Sequence, residues 1–281
     1  MASRDGSAWL KERRVSAILG ITVVAAGLAV AGCTAVGSSS AGTKTPKNAA
    51  ASISAQVTLT PAASVSLAGW TLTLPVNSAG KLSGTAQVIS PAAIVSPWLT
   101  RDSDGALAFW APAGGATTPN SDHSRTELVS TSVFELGKAS HTLAATLAVT
   151  QVPDDDHDII LGQIHGGGSI SSVPFVMLHW QSEDIVVVVK KYRSGSSAQN
   201  FTLLKGVPLD GSFSYTLADD GNGELTLTAT YGSQTGKATA KIPSDFRGKE
   251  MRFQIGDYQQ ATTGTSSADG GRVVFSAITS S

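Results

Sequence analysis

One cysteine, Cys33, in 281 residues leaves no intrachain disulfide framework and no zinc site built on several thiolates. Basic residues are not in excess either: 20 Lys and Arg stand against 21 Asp and Glu, and no basic stripe with interleaved aromatics runs along the chain. Little is available to neutralise a phosphate backbone, so nucleic acid is excluded as a partner. Charged residues amount to only 15%, too few for a coiled coil or a highly charged disordered tail, and a collagen is excluded as well. Helical stripes, βαβ alternation and internal repeats are missing beyond the first 32 residues. No strand carries the clustered acids of an E-x-D-x-E hydrolase, and no G-x-S-x-G elbow precedes a helix.

What is present begins with an address. Lys11-Glu12-Arg13-Arg14 precedes an uncharged run from Val15 to Gly32, the pattern of a secretory leader. The run closes on Val30-Ala31-Gly32-Cys33, which resembles a bacterial lipobox and makes Cys33 the candidate lipid-attachment residue and first mature residue. An ordinary cleaved signal and an uncleaved membrane anchor are the alternatives, because the run approaches the roughly 20 residues that span a bilayer. Arg13-Arg14 is a weak twin-arginine signal. Residues 33–55, small and polar without periodicity, read as a tether. Residues 56–281 are the expected domain of an exported, monomeric protein whose membrane contact is limited to its leader or lipid. Removing residues 1–32 takes away four basic and two acidic residues and leaves a net charge of -3.

That domain is a series of short β-rich runs, among them WTLTL from Trp70, RTELVS from Arg125, IILGQIH from Ile159, FVMLHWQ from Phe175 and RFQIGDYQ from Arg252. Turn clusters separate them. Many strands without crossover helices imply an all-β fold, an antiparallel sandwich or jelly roll.

Residues two apart on a half-buried strand share a face, so polar groups at that spacing inside apolar runs need a reason. Arg125 and Glu127, Gln163 and His165, and Arg252, Gln254, Tyr258 and Gln260 all show it. Singly, each has an ordinary structural explanation: a same-face ion pair, a strand-end histidine, an edge tyrosine. Together they supply a cation, an amide, an imidazole and a phenol, a set suited to abstracting a proton beside a carboxylate.

These segments resemble the signature blocks of polysaccharide lyase family 7, the alginate lyases: R-[ST]-E-L-R, Q-[IV]-H and Y-F-K-A-G-x-Y-x-Q, in the same order. Here they read Arg125-Thr126-Glu127-Leu128, Gln163-Ile164-His165, and Arg252 through Gln260. The run Thr117 to Ser121 and the Trp70 to Pro75 opening extend the likeness. The resemblance implies a β-jelly roll with an open concave groove, an acidic polysaccharide as partner, no cofactor, and cleavage by β-elimination. It places Arg125, Gln163, His165 and Tyr258 at the cleavage point, with Gln254, Gln260, Asn120 and Lys190 as substrate-binding candidates. Arg125 and Gln163 would neutralise the uronate carboxylate. His165 would take the C5 proton and Tyr258 protonate the departing O4, unless Tyr258 does both after a neighbouring cation lowers its pKa from about 10.

Two positions depart from the family pattern: Val129 stands where a second arginine is usual, and Gln254 where lysine is usual. Both losses predict weaker hold on a polyanion or a different uronan such as glucuronan. Lys190, Lys191 and Arg193 could restore charge if their strand lines the groove. The isoleucine of Gln163-Ile164-His165 points weakly to guluronate. A carbohydrate-binding sandwich without catalysis is the alternative of another class. No metal is expected: Asp154 to Asp158 lacks the spacing of a calcium loop and reads as a solvated turn, and Asp219 to Gly223 reads as a hairpin turn.

Overall fold

Alternation of apolar and polar residues, with period two, builds two antiparallel sheets that face one another. The computed structural model describes residues 64–281. The leader, Cys33, the tether and the first residues of the expected domain lie outside the described residues.

Strands are numbered in chain order. The nine-stranded sheet comprises β1 (Trp70–Thr73), β2 (Val88–Ile89), β5 (Thr126–Ser130), β6 (Phe134–Glu135), β8 (Asp158–Gly166), β9 (Pro174–Gln181), β10 (Asp184–Lys190), β11 (Ala198–Leu204) and β15 (Glu250–Gln259). Its spatial order is β11-β10-β9-β8-β15-β5-β1-β2, with β6 alongside β15. The seven-stranded sheet runs β14-β13-β12-β7-β16-β4-β3. Its strands are β3 (Leu99–Arg101), β4 (Leu107–Pro112), β7 (Ser140–Gln151), β12 (Phe213–Asp220), β13 (Glu224–Tyr231), β14 (Gln234–Lys241) and β16 (Gly270–Ser280). Among the described residues the helical content is one 3-10 turn, Gly168–Ile170. The expected all-β sandwich of jelly-roll type is the fold observed.

The core lies between the sheets and explains which side chains are left for chemistry. On β15, Met251, Phe253 and Ile255 are buried in it, and on β8 so are Ile159, Leu161 and Ile164. Burying each such side chain contributes roughly 1.5–3 kcal/mol, so the register that hides them is strongly favoured. The same register turns Arg252, Gln254 and Tyr258 of β15, and Gln163 and His165 of β8, to the opposite face. Gln254 pairs with Gln163, and Arg252 with His165.

A bulge interrupts this alternation between Ile160 and Gly162 of β8, and the β15 register shifts opposite it between Ile255 and Tyr258. The bulge puts both Ile160 and Gln163 on the outer face, which simple alternation forbids. Gly162 is required there: a Cβ at this position would lie 2.1 Å from the Tyr215 hydroxyl of the other sheet. Gly162→Ala is therefore expected to cost about 1–3 kcal/mol of stability through overpacking, read as a lower urea midpoint.

Of the two acidic runs, Asp219 to Gly223 forms the expected hairpin turn, in which Asp220 Oδ1 accepts from the amides of Asn222, Gly223 and Glu224. The solvated-turn reading fails at Asp158, which is buried in β8 and bonded to His179. Six strands escaped the sequence reading. Of these, β2, β3 and β6 have two or three residues, β11 and β14 are edge strands with mixed polarity, and β12 carries a clean alternation of Phe213, Tyr215 and Leu217.

Candidate active site

The outer face of the nine-stranded sheet carries a trough of ≈ 560 Å³. All four expected catalytic residues, Arg125, Gln163, His165 and Tyr258, line it, and so do Asn120, Lys190, Gln254 and Gln260. Asn120 is exposed at the rim, whereas Gln254 and Gln260 are buried in the floor. Lys190 is also buried and sits on β10, an inner strand of the sheet. Val129 and Gln254, the two positions with missing charge, both face the trough.

Glu127 organises one end of the set. Its Oε2 accepts from Arg125 Nη1 at 3.2 Å and its Oε1 from Gln163 Nε2 at 2.5 Å. Gln163 Nε2 makes a second, longer contact of 3.2 Å to Gln254 Oε1, so the amide nitrogen is already engaged by two acceptors. The carboxyl of Glu127 is fully buried; burial pushes its pKa up, and Arg125 and Gln163 oppose that rise. The same-face ion pair expected from the spacing is therefore present, and it holds the guanidinium and the amide in place together.

Arg125 also covers Tyr258, with its Cζ 3.4 Å from the ring centroid. The Tyr258 hydroxyl lies 2.8 Å from Ser121 Oγ. Ser121 Oγ also lies 3.1 Å from the His123 carbonyl, which can only accept; when the serine hydrogen is directed there, Tyr258 is the donor of the pair.

His165 is half-buried at the end of β8, and Nδ1 lies 3.3 Å from the Gly166 carbonyl. A carbonyl only accepts, so Nδ1 bears the hydrogen and Nε2 keeps a free lone pair. Burial lowers the imidazole pKa to about 3, aided by the charges of Arg252, Arg125 and Lys190 and opposed by the Gly166 contact. The ring is neutral at pH 7.

Ser121, His179 and Arg252 are among the trough residues that sequence reading does not assign to the site. Ser121 was visible only as part of a Thr/Ser-rich run, and its contact with Tyr258 crosses 137 positions. His179, on the trough face of β9, donates from Nδ1 to Asp158 Oδ1 at 2.7 Å; its place two residues from Met177 within an apolar run is the available signal. Arg252 shares the parity of Gln254 and Tyr258, and parity alone assigns it no role. Among the described residues, no group of three or more His, Cys, Asp or Glu side chains is placed to hold a metal ion.

The jelly-roll sandwich carries a trough over one sheet, lined by an arginine, a glutamine, a neutral histidine and a tyrosine, and its sequence match places it in the polysaccharide lyase class. The sequence profile of the alginate lyases matches residues 65–281, and the chain belongs to that family, polysaccharide lyase family 7. It is similar to an alginate lyase from Pseudomonas aeruginosa, with 27% identity and a TM-score of 0.66, over 77% of this chain and 99% of that one. An alginate lyase from Klebsiella pneumoniae shares the fold at 20% identity and a TM-score of 0.66, over 79% of this chain and 98% of that one. Alginate lyase A1-II', a member of polysaccharide lyase family 7, shares it at 23% identity and a TM-score of 0.65, over 79% and 97%. Variants of that protein have been crystallised with a GGG product and with a GGMG substrate. Comparison with curated proteins gave no match.

Proposed function

We propose that this protein cleaves alginate, a 1,4-linked uronate polymer, by β-elimination in the trough. The observation that carries the reading is a neutral His165, its Nε2 lone pair free, in the same trough as the Tyr258 hydroxyl. One is poised to accept and the other to donate.

In the reaction, the C5 proton of the uronate passes to His165 Nε2. The electrons of that C–H bond form the C4–C5 double bond, the C4–O bond breaks toward oxygen, and O4 takes the Tyr258 proton. Negative charge builds on the carboxylate beside C5 as the proton leaves, and Arg125 offsets it with a fixed cation. Gln163 adds an amide donor when its longer contact, to Gln254, gives way to the substrate carboxylate. Support for alginate as the polymer comes from family membership and from the neighbours crystallised with GGG and GGMG.

Incubation with purified polymannuronate, polyguluronate and glucuronan tests this directly. Alginate blocks should yield the ultraviolet absorbance of an unsaturated uronate. New reducing ends without that absorbance would mean hydrolysis, and binding without either would mean a recognition module. Preference for glucuronan would instead follow the missing charges at Val129 and Gln254.

The low pKa of His165 adds a pH prediction. The folded pKa of about 3 lies below the ordinary value of about 6.5, so the unfolded chain binds more protons between those limits. His165 therefore makes the fold lose stability as pH falls through that window. In kcat/KM, no downward break near pH 6.5 is expected from this imidazole while the protein stays folded. A break there, with unchanged circular dichroism, would show that the base titrates near the ordinary imidazole value in the folded protein and not near 3.

Export remains part of the proposal: residues 1–32 address the chain to the membrane and Cys33 receives lipid. Metabolic labelling with a fatty acid, lost in Cys33→Ser, is the corresponding test.

A further inference from the structure

Four cations line the trough: Arg125, Lys190, Arg193 and Arg252. Three are already engaged. Arg125 is paired with Glu127 at 3.2 Å, Lys190 Nζ reaches the Arg193 carbonyl at 3.5 Å, and Arg193 Nε lies 4.0 Å from Asp245 Oδ2 while its amide donates to the same oxygen at 2.8 Å. Arg252 differs. Among the described residues its side chain has no ion pair and no hydrogen bond, and its Nε is buried without a partner.

A half-buried guanidinium with no acceptor is an expensive arrangement. Removing it from water costs free energy that a carboxylate in bidentate contact offsets; among the described residues none is in such contact, and the Glu127 carboxylate acts on it only through space. Its placement says where the missing acceptor belongs. Arg252 is the cross-strand partner of His165, which sets their Cα atoms about 5 Å apart. On its own strand it lies two residues from Gln254, about 6.8 Å along the same face, on the side away from Tyr258 and the guanidinium of Arg125.

We propose that Arg252 is a substrate-binding residue that clamps the carboxylate of the sugar next to the one held by Arg125, and thereby makes an acidic sugar a requirement at that neighbouring position. The inference rests on the lyase reading above. It answers the loss of charge at Gln254: the cation stands two residues earlier on the same face.

The same placement gives Arg252 an influence on His165. That ring is faced by cations from Arg252 on β15, Arg125 beside β5 and Lys190 on β10; Glu127 is held behind Gln163, and the paired position on β9 is Pro174, which brings no charge. Arg252 is the strongest of these charges acting on the imidazole. Removing it should let His165 protonate at a higher pH.

The test compares the wild type with Arg252→Gln and Arg252→Lys. Calorimetric titration of an alginate oligosaccharide, made in a Tyr258→Phe background so that the ligand survives, should show a Kd about tenfold or more weaker for Arg252→Gln, the loss of a charge-assisted contact. Arg252→Lys should recover part of that loss. With a carboxyl-reduced oligosaccharide the Gln and Arg forms should bind alike. In turnover, Arg252→Gln should raise KM by more than it lowers kcat and move the acid limb of kcat/KM toward higher pH. Equal affinity of the Gln and Arg forms for the acidic oligosaccharide overturns the proposal, as does an equal penalty on the carboxyl-reduced one. Failure of the wild type to release unsaturated product from any uronan overturns the lyase reading instead, and the binding comparison still decides whether Arg252 clamps a carboxylate.

Discussion

Replacing Tyr258 by Phe is expected to lower kcat by about 10²–10⁴-fold, the range for losing a positioned general acid, while Kd for an alginate oligosaccharide changes little. The substitution removes one oxygen. The ring remains, so Arg125 keeps the aromatic face that it covers at 3.4 Å, and the sheet keeps its packing. What disappears is the hydroxyl that lies 2.8 Å from Ser121 Oγ. O4 would then have to depart as an alkoxide. Single-turnover rates and calorimetric binding on one preparation check both halves of the expectation, and full turnover in the variant would refute the assignment. Ser121→Ala makes a useful companion: it removes the hydroxyl's partner and leaves the acid itself, so a much smaller loss is expected.

Glu127→Ala is expected to be the most damaging substitution for stability. Breaking a buried ion pair by removing one member costs about 3–5 kcal/mol, because the other charge is left in low dielectric without compensation. Here the stranded groups are Arg125 and one hydrogen of the Gln163 amide. Activity should fall as well, by about 10²-fold, since a displaced guanidinium no longer meets the developing charge. Glu127→Gln separates the two effects. Burial already disfavours the carboxylate form, so the neutral amide should cost less stability than alanine does, yet it no longer attracts Arg125. Urea unfolding and initial rates, measured side by side, distinguish anchoring from mere folding. Equal losses of activity and of folded fraction in both variants would show a purely structural Glu127.

Which residues face the trough was legible in the sequence because of period two. Gln163 with His165, and Arg252 with Gln254 and Tyr258, interrupt apolar runs at the spacing that selects one face of a strand, and the core residues between them fix which face. Contacts between strands distant in sequence were not legible. Nothing local announces that Ser121 meets Tyr258, that Asp158 leaves its acidic run to pair with His179, or that β8 carries a bulge at Gly162. The bulge is the instructive case, since its glycine is dictated by Tyr215 on the other sheet. Of the acidic runs, only the one whose carboxylate caps its own backbone, at Asp220, behaves as its local composition suggests.

The Arg125 and Glu127 pairing lies within one short segment that is registered against β15. A slip of a single residue there would carry both side chains to the interior together, and with them the anchor of Gln163. Misfolded molecules with that error would be catalytically silent rather than partly competent, so enzyme assays on a refolding sample would count correctly aligned sheets directly.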